Sequence, residues 1–315
     1  MMNAIQEITT KTTATTESIV PVTGVSSADK AESRDAGSSS VTPWKEAPTR
    51  TLSAGGVEFA YRELGPDTGV PVVLLTHLTA VLDNWDPRVV DGIAAKRRVI
   101  SFDNRGVGAS SGSTPATIEE MASDAVAFIR ALGLDQVDLF GFSMGGMIAQ
   151  LIAQDEPQLV RKMILAGTGP AGGEGIEKIT RITYLDIARG LLTRQDPKQF
   201  LFFTRTPNGR RAGKEFLAQL QERTHDRDKP ISMRSLRAQL KAIRRWGQQQ
   251  PRNLAGIHQP VLVMNGDSDR MVPSQNSVDL DRRLPNSQLI LYPDAGHGGV
   301  FQFHEDFVKR ALEFL

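Results

Sequence analysis

Short apolar runs alternate with longer amphipathic stretches along most of the chain. The runs are five to seven residues long, and Val57–Glu63 alternates strictly between apolar and polar positions. Such runs are typical of strands, and the continuous ones are typical of strands buried on both faces. The predicted strands are Val57–Glu63, Val72–Thr76, Arg98–Asp103, Gln136–Phe142, Lys162–Ala166, Val261–Asn265 and Gln288–Tyr292.

Between these runs, apolar residues recur every three or four positions, which is the spacing of one helix face. Strands that alternate with helices predict an α/β fold with a mainly parallel sheet. The helices predicted outside the region 167–260 are Thr117–Leu132, Met144–Asp155, Ser274–Leu284 and Gln302–Leu315.

The alternation stops between Gly167 and Pro260, where only helical patterns occur, such as Gly213–Arg223 and Ser232–Trp246. We therefore expect core parts at 47–169 and 253–315, with a helical cap at 170–252. Residues 174–252 contain 18 Lys and Arg against 8 Asp and Glu, a net charge of +10. This excess indicates either a basic lid that attracts acidic substrates or partners, or simply a solvated helical face, and the second interpretation is favoured.

The first fifty residues differ in composition from the rest. They contain nine Thr and seven Ser, and Trp44 is their one aromatic residue. We interpret 1–46 as a disordered tail. It has no apolar stretch long enough for a signal peptide, and the chain has no window of about 20 apolar residues for a transmembrane helix.

The overall composition argues against several classes of function. The 315 residues carry a net charge of +1, which argues against a dedicated nucleic-acid or membrane-surface binder. The absence of cysteine excludes a Cys nucleophile and Cys-ligated metals, and it fits the expected cytoplasmic location. The five histidines have no metal-ligand spacing, so we expect neither a metal nor a cofactor.

One motif carries a candidate nucleophile. Gly141-Phe142-Ser143-Met144-Gly145 is G-x-S-x-G, and it lies between a predicted buried strand and a predicted helix. A sharp turn in that position raises the serine oxygen above the sheet and places it at a helix N-terminus. The alternative is a glycine-rich turn with an incidental serine, which the strand–turn–helix context makes the weaker interpretation.

A serine needs a base to remove its proton, and an acid to orient that base. His297 lies in a glycine-rich loop between the last strand and the last helix, where it can reach the edge of the sheet. Asp269 follows the strand Val261–Asn265, and Asp267 competes with it at two residues' distance. The order Ser, Asp, His, each after a strand, belongs to one fold.

The chain resembles the α/β-hydrolases of the large cap-bearing bacterial group over about residues 50–315. The matching segments are THLTA at 76–80, DNRGVGAS at 103–110, GFSMGG at 141–146, NGDSDRMVP at 265–273 and AGHGG at 295–299. The resemblance implies the α/β-hydrolase fold, with an eight-stranded type of sheet and a helical cap, and an esterase-like serine hydrolase.

The resemblance also implies roles for particular residues. Ser143 matches the nucleophile position, His297 the base, and Asp269 rather than Asp267 the acid. The oxyanion hole is expected from the backbone N–H groups of Met144 and Thr79. Since Leu78 replaces the usual glycine of that loop, its N–H is the alternative donor. His77 is expected to be structural.

The leading hypothesis is a serine hydrolase of a small carboxylic ester or related acyl compound, with a Ser-His-Asp triad, an acyl-enzyme and no cofactor. Three alternatives keep the fold: cofactor-free haloperoxidase or perhydrolase-type oxidation, hydrolysis of a C–C bond, and a ligand-binding module. Because Gly298 and Gly299 follow the histidine, where C–C hydrolases often have Trp, that activity is disfavoured. The expected partner is a small acyl substrate, and homo-oligomer formation stays open.

Overall fold

The computed structural model describes residues 42–315, and its centre is one eight-stranded sheet. The central strands are formed by apolar runs, and every residue in them is buried because helices cover both faces of the sheet. The strands are β1 (Arg50–Ala54), β2 (Val57–Leu64), β3 (Val72–Leu75), β4 (Val99–Phe102), β5 (Val137–Phe142), β6 (Val160–Ala166), β7 (Val261–Gly266) and β8 (Ser287–Tyr292).

The strands lie in the order β1-β2-β4-β3-β5-β6-β7-β8. β2 pairs antiparallel with β1 and with β4, and all other pairs are parallel. The predicted fold class, an α/β-hydrolase fold with a mainly parallel sheet, is therefore confirmed. Since parallel strands end at the same edge, the segments after β3, β5, β7 and β8 converge there.

Ten α-helices connect or flank the strands in residues 42–315. They are α1 (Pro87–Ala94), α2 (Ile118–Ala131), α3 (Met144–Asp155), α4 (Ile179–Thr193), α5 (Lys198–Phe202), α6 (Pro207–Gln219), α7 (Met233–Gly247), α8 (Gln275–Arg283), α9 (Gly299–Gln302) and α10 (His304–Phe314). Helices outside the segment between β6 and β7, such as α2, α3 and α8, pack on the sheet, and two apolar clusters lie on its two sides.

The apolar pattern did not reveal every element. β1 was missed because it is an edge strand with four of its five residues at least partly exposed, so it carries no continuous apolar run. α1 was missed because it has only eight residues; its start depends on Pro87 and on the Asp86 carboxylate, which accepts from Arg88 N. The predicted final helix, Gln302–Leu315, corresponds to α10, and a separate one-turn helix, α9, precedes it with a break at Phe303.

Between β6 and β7 the chain forms helices α4–α7 and a short 3₁₀ helix at Ile176–Lys178, with no strand. We call residues 167–260 the cap segment. The predicted cap, 170–252, lies within it, and its boundaries stay predictions.

The predicted tail falls mostly outside the described residues. Its last part does not: Trp44–Glu46 form a 3₁₀ helix, and the Trp44 side chain is buried. Trp44 N donates to Asp91 Oδ1 of α1 at 2.6 Å, and its ring lies against Arg62. The predicted boundary at residue 46 is therefore too late, because an aromatic residue within the polar segment packs on the core.

A buried ion cluster joins the core to the cap segment. The Arg62 guanidinium of β2 lies 2.8 Å from Asp83 and 3.0 Å from Asp228, and all three side chains are almost fully buried. Asp83 N donates to Asp228 Oδ2, and Asp228 N donates to Asp83 Oδ2. The cluster thus ties the loop after β3 to residue 228 of the cap segment.

No helix in the described range 42–315 combines the length and the apolar character needed to cross a bilayer.

We expect Arg62→Met to destabilise the protein by about 3–5 kcal/mol, because it leaves the buried Asp228 carboxylate without a cation, while Asp83 keeps only its longer contacts to Arg223 and Arg227, at 3.6 and 3.4 Å. Chemical denaturation measures the loss. Arg130→Ala is the matched control, since it removes an exposed ion pair with Glu156 and is expected to cost less than about 1 kcal/mol. Equal losses in the two variants would contradict this account.

Candidate active site

The turn between β5 and α3 holds Ser143 in a left-handed backbone conformation, with φ 56°. Non-glycine residues seldom adopt such φ values, and the strain is of order 1–3 kcal/mol. The positions two residues before and two residues after Ser143 must be glycine. A Cβ on Gly141 would collide with the backbone of Gly145, and a Cβ on Gly145 would collide with the carbonyl of Leu75. The turn therefore brings helix α3 against β3 and raises Ser143 above the sheet.

Three predicted residues form one hydrogen-bonded relay. Ser143 Oγ lies 2.9 Å from His297 Nε2, and His297 Nδ1 lies 2.7 Å from Asp269 Oδ2. The Asp269 carboxylate accepts the Nδ1 proton, so Nε2 is free to accept the serine proton. All three residues are buried. The arrangement can activate Ser143 as a nucleophile.

The structure brings Asp269, and not Asp267, to the histidine. The second oxygen of Asp269 accepts from the backbone N–H groups of Met271 and Val272, at 2.7 and 3.1 Å. These two bonds hold the carboxylate in place. Asp267 is exposed, and its side chain accepts from Ser268 Oγ.

The cap segment supports the loop that carries His297. Gly298 N donates to the carbonyl of Phe202 in α5 at 2.7 Å. The His297 ring packs between Phe142 of the core and Phe202, with centroid distances of 5.1 and 5.6 Å. α5 therefore positions the histidine although it supplies no group to the relay.

The predicted oxyanion donors differ in whether their N–H group already has a hydrogen-bond acceptor. Met144 N is at the first position of α3, where helix N–H groups lack intrahelical acceptors. Thr79, with φ 70°, has its N–H bonded to Gln239 Oε1 of α7 at 2.8 Å. The Leu78 N–H, the alternative donor, has no hydrogen-bond acceptor among residues 42–315.

Sequence reasoning did not identify Gln239. Its side chain is fully buried, and its Nε2 has no partner in the described part of the chain. A signal was present, because Gln239 interrupts the apolar face that Leu236, Leu240 and Ile243 form on α7. A polar residue at an apolar position of a helix is a reason to expect a specific partner.

His77 is adjacent to the relay but not part of it. Its Nδ1 donates to the Leu78 carbonyl at 2.7 Å, and its ring packs edge-on against Phe142 and Phe202. Burial lowers the pKa of His77 to about 3, so the ring is neutral near pH 7. It thus acts as an uncharged wall of the site.

A cavity of about 130 Å³ opens at Ser143 and His297. Its polar lining comes from the loop after β3, from Thr183, and from Asp196 and Lys198, which lie 3.5 Å apart. We call it the catalytic cavity. Its apolar lining residues are Leu78, Ile179, Ile187, Pro197, Leu201, Phe202, Ile243 and Met271. Within residues 42–315, no group of three or more His, Asp or Glu side chains could hold a metal ion.

Comparisons with known proteins agree with the fold. The family model described as "alpha/beta hydrolase fold" matches residues 70–303. A solved structure, an alpha/beta hydrolase fold protein from Chitinophaga pinensis, is 39% identical with a TM-score of 0.82, covering 87% of this chain and 98% of that one.

Two curated relatives carry more specific names. The "Putative non-heme bromoperoxidase BpoC" of Mycobacterium tuberculosis is 28% identical over 274 residues, which are 82% of this chain and 98% of the relative. The "Putative carbamate hydrolase RutD" of a Caulobacter strain is 27% identical over 272 residues, 84% of this chain and 98% of the relative.

We expect His77→Gln to weaken the acid sensitivity of the fold. The unfolded chain binds the His77 proton below pH about 6.5, whereas the folded chain binds it only near pH 3. The free energy of unfolding therefore falls as the pH drops between these values, by at most about 1.4 kcal/mol per unit from this group.

Urea unfolding from pH 4 to 7 measures the slope, which should be smaller in His77→Gln. The exposed His258 offers the control His258→Gln, whose slope should match the unsubstituted protein. Identical slopes in both variants would show that His77 does not resist protonation.

Proposed function

The chain belongs to the alpha/beta hydrolase fold family, and we propose that it is a serine hydrolase that cleaves small carboxylic esters through an acyl-enzyme. The observation that carries the proposal is the unbroken relay Asp269–His297–Ser143 at a strained turn. Buried polar groups and backbone strain are retained at functional sites, whereas a glycine-rich turn with an incidental serine needs neither.

In the first half of the reaction, His297 Nε2 takes the proton of Ser143 as Oγ attacks the ester carbonyl. Asp269 holds the ring in the required tautomer and stabilises its positive charge. The Met144 N–H donates to the developing oxyanion. Donors of this kind contribute about 3–4 kcal/mol each.

The second donor must come from the loop after β3. The Thr79 N–H is held by Gln239, so it donates to substrate only if the oxyanion displaces the Gln239 amide oxygen. The Leu78 N–H needs no such exchange. In either case α7 of the cap segment sets the position of the oxyanion loop.

The first half ends when protonated His297 gives its proton to the leaving alcohol, and the acyl group stays on Ser143. In the second half, water enters and His297 removes its proton as the water oxygen attacks the acyl carbonyl. His297 then returns that proton to Ser143 Oγ as the carboxylic acid leaves. Each step uses groups of this chain alone.

The size and lining of the catalytic cavity favour a short, mainly apolar acyl group. A cavity of about 150 Å³ holds one benzene molecule, and this cavity measures about 130 Å³. Short-chain and small aromatic esters are therefore the first substrates to test.

The names of one group of relatives favour a second candidate, peracid formation. The same acyl-enzyme, formed from a short carboxylic acid, would be attacked by hydrogen peroxide in place of water. The peracid released would oxidise bromide to hypobromite and return to the acid. Bromination of a phenol that needs peroxide, acetate and Ser143 together would support it.

We expect a fluorophosphonate to label Ser143 and no other residue, as read by mass spectrometry of the modified peptide. Ser143→Ala should abolish labelling and lower kcat for a short ester by a factor of about 10⁴ or more. The exposed Ser268 provides the control Ser268→Ala, which should label normally. An unlabelled, inactive protein of native fold would refute the hydrolase proposal.

We expect Gln239→Glu to lower kcat/KM about tenfold or more at pH 8, because a carboxylate beside the Thr79 N–H opposes the negative charge of the oxyanion. The loss should shrink as the pH falls and the glutamate is protonated. Gln239→Met is the uncharged control, and its pH profile should follow that of the unsubstituted protein. Parallel pH profiles for both variants would mean that Gln239 does not face the oxyanion loop during turnover.

A further inference from the structure

A second cavity lies wholly within the cap segment, between helices α4, α5 and α6. Its volume is about 330 Å³, more than twice that of the catalytic cavity. We call it the cap pocket. The proposed reaction assigns it no role.

Positive charge surrounds the cap pocket. Four cationic side chains line it, and none of them forms an ion pair with a carboxylate in residues 42–315. One acid, Asp196, also lines the pocket, and it lies 3.5 Å from Lys198. The four are Arg189, Arg205, Arg210 and Lys214.

The floor of the cap pocket is apolar. Phe200, Phe203 and Leu217 line it, and the Arg189 guanidinium lies 4.3 Å from the centre of the Phe200 ring. Cations on a purely solvated helix face would stand over polar surface or open water. Here they stand around a concave apolar surface, where the low-dielectric wall strengthens their field.

We propose that the cap pocket binds a small carboxylate with an apolar body, the carboxylate facing the arginines and Lys214 and the body resting on the phenylalanines. The volume suits about a dozen non-hydrogen atoms, since about 150 Å³ holds the six carbons of benzene. A neutral molecule of the same shape would leave the cations unpaired and bind less tightly.

The cap pocket is separate from the catalytic cavity, and the two share a wall. On α5 and the residue after it, Gln199, Phe200 and Phe203 face the cap pocket, whereas Leu201 and Phe202 face the catalytic cavity. Asp196 borders both cavities. A ligand in the cap pocket would therefore lie behind the helix that supports the His297 loop.

A second connection reaches the same loop. Thr204, which lines the cap pocket, lies with its Oγ1 3.3 Å from Asp294 Oδ1, and Thr206 Oγ1 donates to Asp294 Oδ2 at 3.0 Å. Asp294 is three residues before His297. The wall of the pocket is thus hydrogen-bonded to the segment that carries the base.

Isothermal titration with 4-phenylbutanoate and its neutral analogue 4-phenylbutanamide tests the proposal. Each probe has 12 non-hydrogen atoms, roughly what the pocket admits. The carboxylate should bind about tenfold more tightly than the amide, and its binding should weaken as salt is added. Equal binding of the two probes, or no binding of the carboxylate at about 10 mM, would overturn the proposal.

Substitutions test whether the carboxylate probe binds in the cap pocket. Arg210 and Lys214 are exposed, so their double change to Gln should leave the fold intact and weaken carboxylate binding about tenfold. Arg237→Gln with Lys241→Gln removes the same charge from exposed positions of α7 outside the pocket, and should change binding less than about twofold. If Lys198→Gln, in the catalytic cavity, causes the loss instead, the probe binds there and the proposal fails. No arm of this test depends on catalysis, so its result is independent of whether the chain hydrolyses esters.

Discussion

The left-handed backbone of Ser143 is the constraint on which the rest of the site depends. It directs the hydroxyl away from the sheet, and it is possible only because glycines on either side let α3 pass against β3. Once the hydroxyl is fixed at that edge, its partners must come from loops that end at the same edge. The parallel pairing of β5 to β8 supplies them, with Asp269 after β7 and His297 after β8.

The cap segment contacts several parts of this site. Through Gln239 it contacts Thr79 in the loop after β3, through Phe202 it contacts the loop of His297, and through Asp228 it joins the buried ion cluster. Each contact comes from a different helix or loop of the segment. Movement of the cap would therefore alter several parts of the site together.

The sheet and the relay were predictable because their signals are local. A buried strand shows as an apolar run. The five-residue motif Gly141–Gly145 lies directly between such a run and a helical pattern. The hydrogen bond between Thr79 and Gln239 joins positions 160 residues apart, and neither residue type indicates which residue its partner is. β1 was hidden for another reason: an edge strand needs little apolar surface, so its pairing with β2 shows only in three dimensions.

The distance along the chain between the members of the relay has a consequence for biosynthesis. Ser143 and His297 are 154 positions apart, and β7 and β8 must pair with β6 before Asp269 and His297 reach the serine. In a nascent chain that has emerged only as far as α7, Ser143 lies at its turn without Asp269 or His297 beside it. The relay is assembled only after β7 and β8 have joined the sheet, so a partly folded chain holds the serine without its two partners.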